Sequence, residues 1–153
     1  MDKVVIIDDE IQVLNAVKRL LRKLPYDFEF YSEPEIALEK IISTGADVVV
    51  VDYRMPGMDG LEFLAKLNEA KVECIKIVMS GEADIHIVAK AINENGIYKF
   101  INKPWDPKEL IDAIYESVDQ NQRNIVGKHL EEIGKNEVLG EESSARKWLS
   151  DKE

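Results

Sequence analysis

Polar or small side chains follow four short apolar runs of the sequence. In chain order, these side chains are Asp8, Asp9 and Glu10 after "KVVII", Asp52 after "DVVVV", Ser80 and Gly81 after "IKIVM", and Lys103 after "YKFI". Several aspartates in one pocket would repel one another, and their ionised forms would be unfavourable unless a cation stood between them. Carboxylate oxygens without histidine or a second cysteine favour Mg²⁺ over zinc. The residue types therefore predict a magnesium site that leaves positions open for water and a phosphoryl oxygen.

Each of these residues also has a simpler explanation. Asp9 or Glu10 could cap the first helix, where acidic side chains are common. Asp52 could begin the turn at "RMPG", Ser80 could cap a helix, and Lys103 could be a solvated loop charge. Because such residues follow four different strands, the coincidence favours a shared site over four separate explanations.

The elements that must position these residues are five predicted strands, each followed by a helix. The strands are expected at residues 3–7, 27–31, 47–51, 75–79 and 98–101. Apolar residues at helical spacing follow each strand, and the helix boundaries are marked by Pro25, Pro34, Gly45 and Pro107. This alternation predicts an α/β fold, a doubly wound (βα)5 parallel sheet with helices on both faces. Such sheets bind ligands at the carboxyl ends of their strands, where the polar residues lie.

Composition limits the function classes. The chain has 153 residues, 45% of them hydrophobic and 33% charged, which predicts a soluble protein with room for one core. A net charge of −10 argues against a nucleic-acid-binding surface. The single cysteine, Cys74, excludes an internal disulfide framework. No apolar stretch approaches the length of a signal peptide or a membrane span, so we expect a cytoplasmic protein without membrane contact.

Four segments, "IIDDE", "VVVVDYRMPGMDG", "VMSG" and "FINKPW", resemble the signature segments of response-regulator receiver domains of two-component signalling, in matching order and spacing. The resemblance covers roughly residues 1–122, and the four segments together are highly specific. It implies the flavodoxin-like receiver fold with strand order 2-1-3-4-5. The "FINKPW" form is similar to that of receivers joined to cyclic-dinucleotide phosphodiesterase domains.

The resemblance also implies roles for the strand-end residues. Asp52 would accept a phosphoryl group from a sensor histidine kinase or a histidine phosphotransfer protein. The Mg²⁺ ligands would be Asp8, Asp9, Asp52 and the backbone carbonyl of Arg54, with Asp8 acting largely through a water. The phosphoryl oxygens would be bound by Ser80, Gly81 and Lys103. Before phosphorylation, Lys103 would pair with Asp52. In receivers the bond between Lys103 and Pro104 is typically cis, which would aim the lysine into the pocket.

Further residues would transmit and tune the signal. Phosphorylation would draw Ser80 inward and let the ring of Phe100 rotate, so that helix 4, strand 5 and helix 5 present a changed surface to an output protein. Phe100 could also be an ordinary core ring. Arg54 and Glu82 occupy positions where receivers tune access of water to the acyl phosphate, and their opposite charges could pair across the mouth of the site.

Residues 123–153 are expected to form a helical or partly disordered extension or linker, with Ile125, Leu130 and Ile133 as a weak apolar stripe. The chain would be either a single-domain regulator or a fragment of a longer one, and a homodimer is a candidate active form. Beyond its own phosphorylation and dephosphorylation, no enzymatic activity is expected. Two alternatives stay open: a pseudo-receiver that only binds partners, and a haloacid-dehalogenase-like phosphatase. The latter requires a second aspartate where this chain has Arg54.

Overall fold

The apolar runs form strands of a single sheet, and a helix follows each strand. The computed structural model describes residues 1–136, apart from the side chains at positions 93, 135 and 136. The strands are β1 (Lys3–Ile7), β2 (Asp27–Tyr31), β3 (Val48–Asp52), β4 (Ile75–Gly81) and β5 (Ile97–Lys103). The helices are α1 (Ile11–Leu21), α2 (Pro34–Thr44), α3 (Gly60–Glu69), α4 (Ile85–Asn95) and α5 (Pro107–Asn136), and a 3₁₀ turn at Glu82–Asp84 precedes α4.

The strand order is β2-β1-β3-β4-β5, and all neighbouring pairs are parallel. This confirms the predicted doubly wound (βα)5 sheet. Strands β1 and β3 are neighbours, and Ile7 lies opposite Val51. Because Asp8 and Asp52 are the next residues along each strand, this register brings them to the same edge of the sheet.

The central strands are continuous apolar runs because both of their faces are covered. All four valines of Val48–Val51 are fully buried. One face of the sheet packs against α1 and α5 through residues such as Val17 and Ile114. The other face packs against α2, α3 and α4 through residues such as Phe63 and Val88. Burial on two faces removes the alternation of apolar and polar residues that a half-exposed strand would show.

The helix boundaries at Pro34, Gly45 and Pro107 are confirmed, and the predicted end of α1 at Pro25 is wrong. Strands β3, β4 and β5 differ from their predicted ranges by one or two residues. Helix α2 begins at Pro34 and ends before Gly45, whose φ of 78° is the left-handed conformation that glycine adopts easily. Helix α1 ends at Leu21, four residues before the predicted stop at Pro25. The residue before a proline avoids helical backbone angles, so the chain leaves the helix earlier, in a turn where the Leu24 N–H donates to the Leu21 carbonyl at 3.0 Å.

The chain divides into two compact units, Met1–Val118 and a second unit that begins at Asp119. The described part of the second unit is helical as far as Asn136. It carries an ion pair between Arg123 and Asp119 at 2.5 Å. Ile125 and Leu130 of the predicted stripe are exposed, and the predicted fraying falls on residues 137–153, outside the described residues. Among the described residues, no helix is long and apolar enough to cross a membrane.

Gly60 holds the first turn of α3 against the end of β3. Its N–H donates to the Tyr53 carbonyl at 2.8 Å. A Cβ atom at this position would lie 2.7 Å from the backbone oxygen of Asp52 and 3.0 Å from Cα of Tyr53. Both neighbours are backbone atoms, so a larger side chain would have to displace the strand end that carries Asp52.

We therefore expect Gly60→Ala to lower the free energy of unfolding by about 1–3 kcal/mol, the usual cost of overpacking. Urea denaturation followed by circular dichroism measures this. The matched control is Gly127→Ala in α5, where a Cβ atom has no neighbour within 4 Å. This control should leave stability unchanged or raise it by up to about 1 kcal/mol. Equal stability of Gly60→Ala and the wild type would contradict the close approach.

Candidate phosphoryl-transfer site

Three carboxylates meet at the carboxyl ends of β1 and β3. Asp8, Asp9 and Asp52 each offer an oxygen, and these oxygens lie within 4.8 Å of one another. Asp8 is fully buried and Asp52 is 4% exposed. The arrangement follows from the parallel register of the two strands, which the apolar runs before each aspartate make possible. The structure thus brings together the three acidic residues that the sequence placed in one pocket.

Lys103, at the end of β5, supplies the positive charge. Its Nζ atom lies 2.8 Å from Oδ2 of Asp8 and 3.1 Å from Oδ1 of Asp52. The predicted pairing with Asp52 is therefore confirmed, and Asp8 is a second partner that the sequence did not indicate. The explanation of Lys103 as a solvated loop charge is wrong. The peptide bond between Lys103 and Pro104 is cis, as predicted.

The pocket contains more negative than positive charge, and the pKa values respond accordingly. Burial, together with the charge of Asp8, raises the pKa of Asp52 to about 6, although Lys103 opposes the shift. Burial alone would lower the pKa of Lys103, but its hydrogen bond to Asp8 and the charges of Asp8 and Asp52 raise it above its ordinary value. The charge of Asp8 contributes to both shifts, because a single ammonium shared between two carboxylates does not neutralise the pair.

Two buried polar atoms in the pocket have no hydrogen-bond partner among the described residues: Oδ1 of Asp9 and Oγ of Ser80. Helix capping would have given each a partner. The residue at the start of α1 is Glu10, whose side chain makes no capping hydrogen bond, and its N–H donates instead to Oδ1 of Asp8 at 3.0 Å. Buried polar groups are almost always satisfied, so these two atoms mark positions where another group fits.

The remaining predicted residues lie around this pocket. Gly81 ends β4 and lies opposite Lys103 in the β4–β5 register. Phe100 is half-buried on β5, opposite Val78, and it packs against the core on the α4 side of the sheet. This position fits both the ring that reports phosphorylation and an ordinary core ring, so the role of Phe100 stays a prediction.

The predicted pairing of Arg54 with Glu82 is wrong. The Arg54 guanidinium binds Asp84 through two hydrogen bonds, from Nε to Oδ2 at 2.5 Å and from Nη2 to Oδ1 at 2.8 Å. The 3₁₀ turn after β4 leaves Glu82 exposed and buries Asp84. The segment "SGEAD" contains both acids, and the sequence carries no signal that distinguishes them.

Comparison with known proteins agrees with this geometry. A family model for the response regulator receiver domain matches residues 4–115. The hydrogenase transcriptional regulatory protein HoxA of Cupriavidus necator is 36% identical over 120 residues, which are 76% of this chain and 24% of that protein. Response regulator protein TodT of Pseudomonas putida is 33% identical over 109 residues, 71% of this chain and 48% of that protein. The chain thus spans about a quarter to a half of the length of these curated relatives.

A solved structure extends the comparison to the fold. The signal receiver domain of an HD domain-containing protein from Pseudomonas fluorescens Pf-5 has a TM-score of 0.74 and 30% sequence identity, covering 80% of this chain and 98% of that one. Receiver domains of this family generally carry an acidic pocket for Mg²⁺, and they act between histidine kinases and output domains. Because the family match takes in β1 to β5 and the strand ends that form the pocket, the chain belongs to the family of response regulator receiver domains of two-component systems.

Proposed function

We propose that this chain is a phosphorylation-activated receiver that accepts a phosphoryl group on Asp52. The observation that carries the proposal is the contact of the buried Asp52 carboxylate with Lys103 at 3.1 Å, inside a cluster of three carboxylates. The donor would be a phosphohistidine of a sensor kinase or of a histidine phosphotransfer protein. A carboxylate oxygen of Asp52 attacks phosphorus, the bond from phosphorus to the imidazole nitrogen breaks, and the imidazole leaves with the electron pair.

The residues present fit a magnesium ion. Asp8, Asp9 and Asp52 offer hard oxygen ligands, and the buried Oδ1 of Asp9 lacks another partner among the described residues. The backbone carbonyl of Arg54 is proposed as a further ligand. Bound Mg²⁺ would neutralise charge on the transferring phosphoryl group. Because the carboxylates outnumber Lys103, the pocket has a clear electrostatic reason to bind a divalent cation.

Three other groups are proposed to hold the phosphoryl oxygens. Lys103 is already in contact with Asp52, so it can follow the charge from the carboxylate to the phosphoryl group. The buried Ser80 hydroxyl, without a partner among the described residues, can donate to one oxygen, and the Gly81 N–H can donate to another. Preorganised donors of this kind stabilise the spread negative charge of phosphoryl transfer. Hydrolysis of the acyl phosphate then reverses the state, and this self-catalysed cycle is the only catalysis we propose.

The proposed switch couples this site to the surface of α4, β5 and α5. Movement of Ser80 toward the phosphoryl group would free space for the half-buried ring of Phe100. That surface includes the exposed Tyr98 and an ion pair between Lys99 and Glu116. A local charge change would thereby bias a two-state element that an output protein or a second copy of the chain reads.

We propose only the class of output domain, not a specific protein. The relatives HoxA and TodT are named as regulators, whereas the structural neighbour from Pseudomonas fluorescens belongs to an HD domain-containing protein. The "FINKPW" segment is similar to that of receivers joined to cyclic-dinucleotide phosphodiesterase domains, and we propose an output of that kind. Sensor histidine kinases present their phosphohistidine in the cytoplasm, so we propose a cytoplasmic location for this chain.

The proposed phosphoacceptor can be tested directly by mass. Incubated with a small-molecule phosphodonor and Mg²⁺, the wild type should gain one acid-stable but hydroxylamine-labile phosphoryl group, measured by intact-protein mass spectrometry. Asp52→Asn should gain none, because an amide oxygen is a poor nucleophile. The control is Asp59→Asn, at the first turn of α3, where the side chain accepts the Glu62 N–H at 2.8 Å and an amide can replace it.

The same experiment separates the alternatives. A phosphoryl group on Asp52→Asn, or none on the wild type, would contradict the proposed function. An unphosphorylated wild type would favour the pseudo-receiver, and rapid turnover of a phosphate monoester would favour the haloacid-dehalogenase-like phosphatase.

The raised pKa of Asp52 predicts how the stability of the protein depends on pH and on metal. Asp52 has a pKa of about 6 in the folded protein against an ordinary value of 3.8, so folding takes up a proton between these values. Stability is therefore lost as pH rises through that window, and the loss is complete above about pH 6. Without metal, Asp52→Asn should exceed the wild type in free energy of unfolding by about 1–3 kcal/mol at about pH 8, with a much smaller difference at about pH 4.

Urea denaturation in the presence of a chelator measures both differences. Added Mg²⁺ should stabilise the wild type more than Asp52→Asn and so reduce the difference at the higher pH. Asp59→Asn again serves as the control, because its side chain lies outside the pocket. If the difference in free energy of unfolding between Asp52→Asn and the wild type does not change with pH, the ionised form of Asp52 is not destabilised by folding.

A further inference from the structure

The loop after β3 and the turn after β4 are joined by one bidentate ion pair. Arg54 lies two residues after Asp52, and Asp84 lies four residues after Ser80. Two N–H groups of the guanidinium meet the two carboxylate oxygens at 2.5 and 2.8 Å. Paired parallel hydrogen bonds of this kind fix orientation as well as distance. The contact therefore restrains how the 3₁₀ turn lies relative to the loop that follows Asp52.

The two partners differ greatly in exposure. The side chain of Asp84 is 5% exposed, whereas that of Arg54 is 75% exposed. Both oxygens of Asp84 accept hydrogen bonds from the guanidinium, an arrangement that favours the charged carboxylate. A buried carboxylate that loses its partner is strongly unfavourable, so it must regain contact with water. The ion pair thus keeps Asp84 inward, and its loss would release the turn at Glu82–Asp84.

That turn is directly connected to the residues that the phosphoryl group must recruit. Ser80 and Gly81 end β4, and the turn begins at the next residue. The Ser80 hydroxyl is buried and, within residues 1–136, has no hydrogen-bond partner. The movement of Ser80 toward a phosphoryl oxygen on Asp52, proposed above, would draw on the end of β4 and on the turn that follows it. The segment that follows Ser80 is restrained at Asp84, the last residue of the turn, by its ion pair with Arg54.

We propose that the Arg54–Asp84 ion pair is a latch that stabilises the resting position of the segment after β4 and so opposes the phosphorylated state. The inference rests on the proposed phosphorylation of Asp52 and adds two positioning residues to it. By linkage, a contact made only in the resting state lowers the apparent affinity for any ligand that prefers the active state. Removing the contact should therefore tighten the binding of a phosphoryl analogue.

The experiment measures binding of beryllofluoride with Mg²⁺, using the fluorescence of Trp105, two residues after Lys103. A Trp148→Phe background leaves Trp105 as the single tryptophan. The variants are Arg54→Ala, Asp84→Asn and the double variant. Asp84→Asn keeps the shape of the side chain and removes the buried charge, so it remains informative if Arg54→Ala folds poorly. Asp112→Asn, which breaks the exposed ion pair with Lys108 at 2.9 Å, is the matched control.

We expect each single variant to lower the half-saturating beryllofluoride concentration by about fivefold or more. The double variant should show no additional effect, because both substitutions break the same contact. Asp112→Asn should bind like the wild type. A purely structural role for the pair predicts the opposite sign, since a loosened site would bind the analogue more weakly.

The outcomes distinguish the two proposals. If the wild type binds beryllofluoride and the variants bind it equally or more weakly, the latch is wrong while the phosphoacceptor site stands. Additive effects in the double variant would also overturn the latch, because they would show that the residues act separately. If the wild type itself does not respond to beryllofluoride and Mg²⁺, the proposed function fails and the latch fails with it.

Discussion

The close approach of three carboxylates at the ends of β1 and β3 is the constraint on which this domain depends. Their oxygens lie within 4.8 Å of one another, where two unit charges repel by about 3 kcal/mol at an effective dielectric constant of about 20. Burial and the charge of Asp8 together raise the pKa of Asp52, and the opposing effect of Lys103 does not cancel them. The strands hold the acids together because moving either strand would expose fully buried β-branched side chains to water.

This unfavourable balance of charge makes the site responsive. A pocket whose charges were already neutralised would gain little from binding a cation, whereas a cation in this pocket would both neutralise charge and give the buried oxygen of Asp9 a partner. The same reasoning applies to Ser80, whose buried hydroxyl gains a partner when an anionic oxygen arrives. The proposed metal and phosphoryl group would therefore complete a site that the apolar core has assembled against electrostatic repulsion.

The sequence predicts those parts of the site that follow from the repeated order of strand and helix. Buried parallel strands require continuous apolar runs, and all their carboxyl ends lie on one edge of the sheet, so Asp8, Asp52 and Lys103 could be placed together before any contact was known. The pKa of Asp52 could not be predicted in this way, because it depends on the depth of burial and on how one lysine is shared. The sequence also did not predict that α1 ends at Leu21. Pro25 marks the end of the helical region, but the sequence does not show how many residues before it form a turn.

The partner of Arg54 shows why contacts between loops are harder to predict than strand ends. Glu82 and Asp84 are both acidic and lie two residues apart, and the direction of a single 3₁₀ turn decides which of them is buried. That choice has a physical consequence. An exposed pair with Glu82 would have contributed little to the position of the loop, whereas the buried carboxylate of Asp84 cannot lose its partner without moving. Because the other partner is a largely exposed arginine, the proposed latch could open by movement of Arg54 into solvent, while Asp84 would have to leave its buried position.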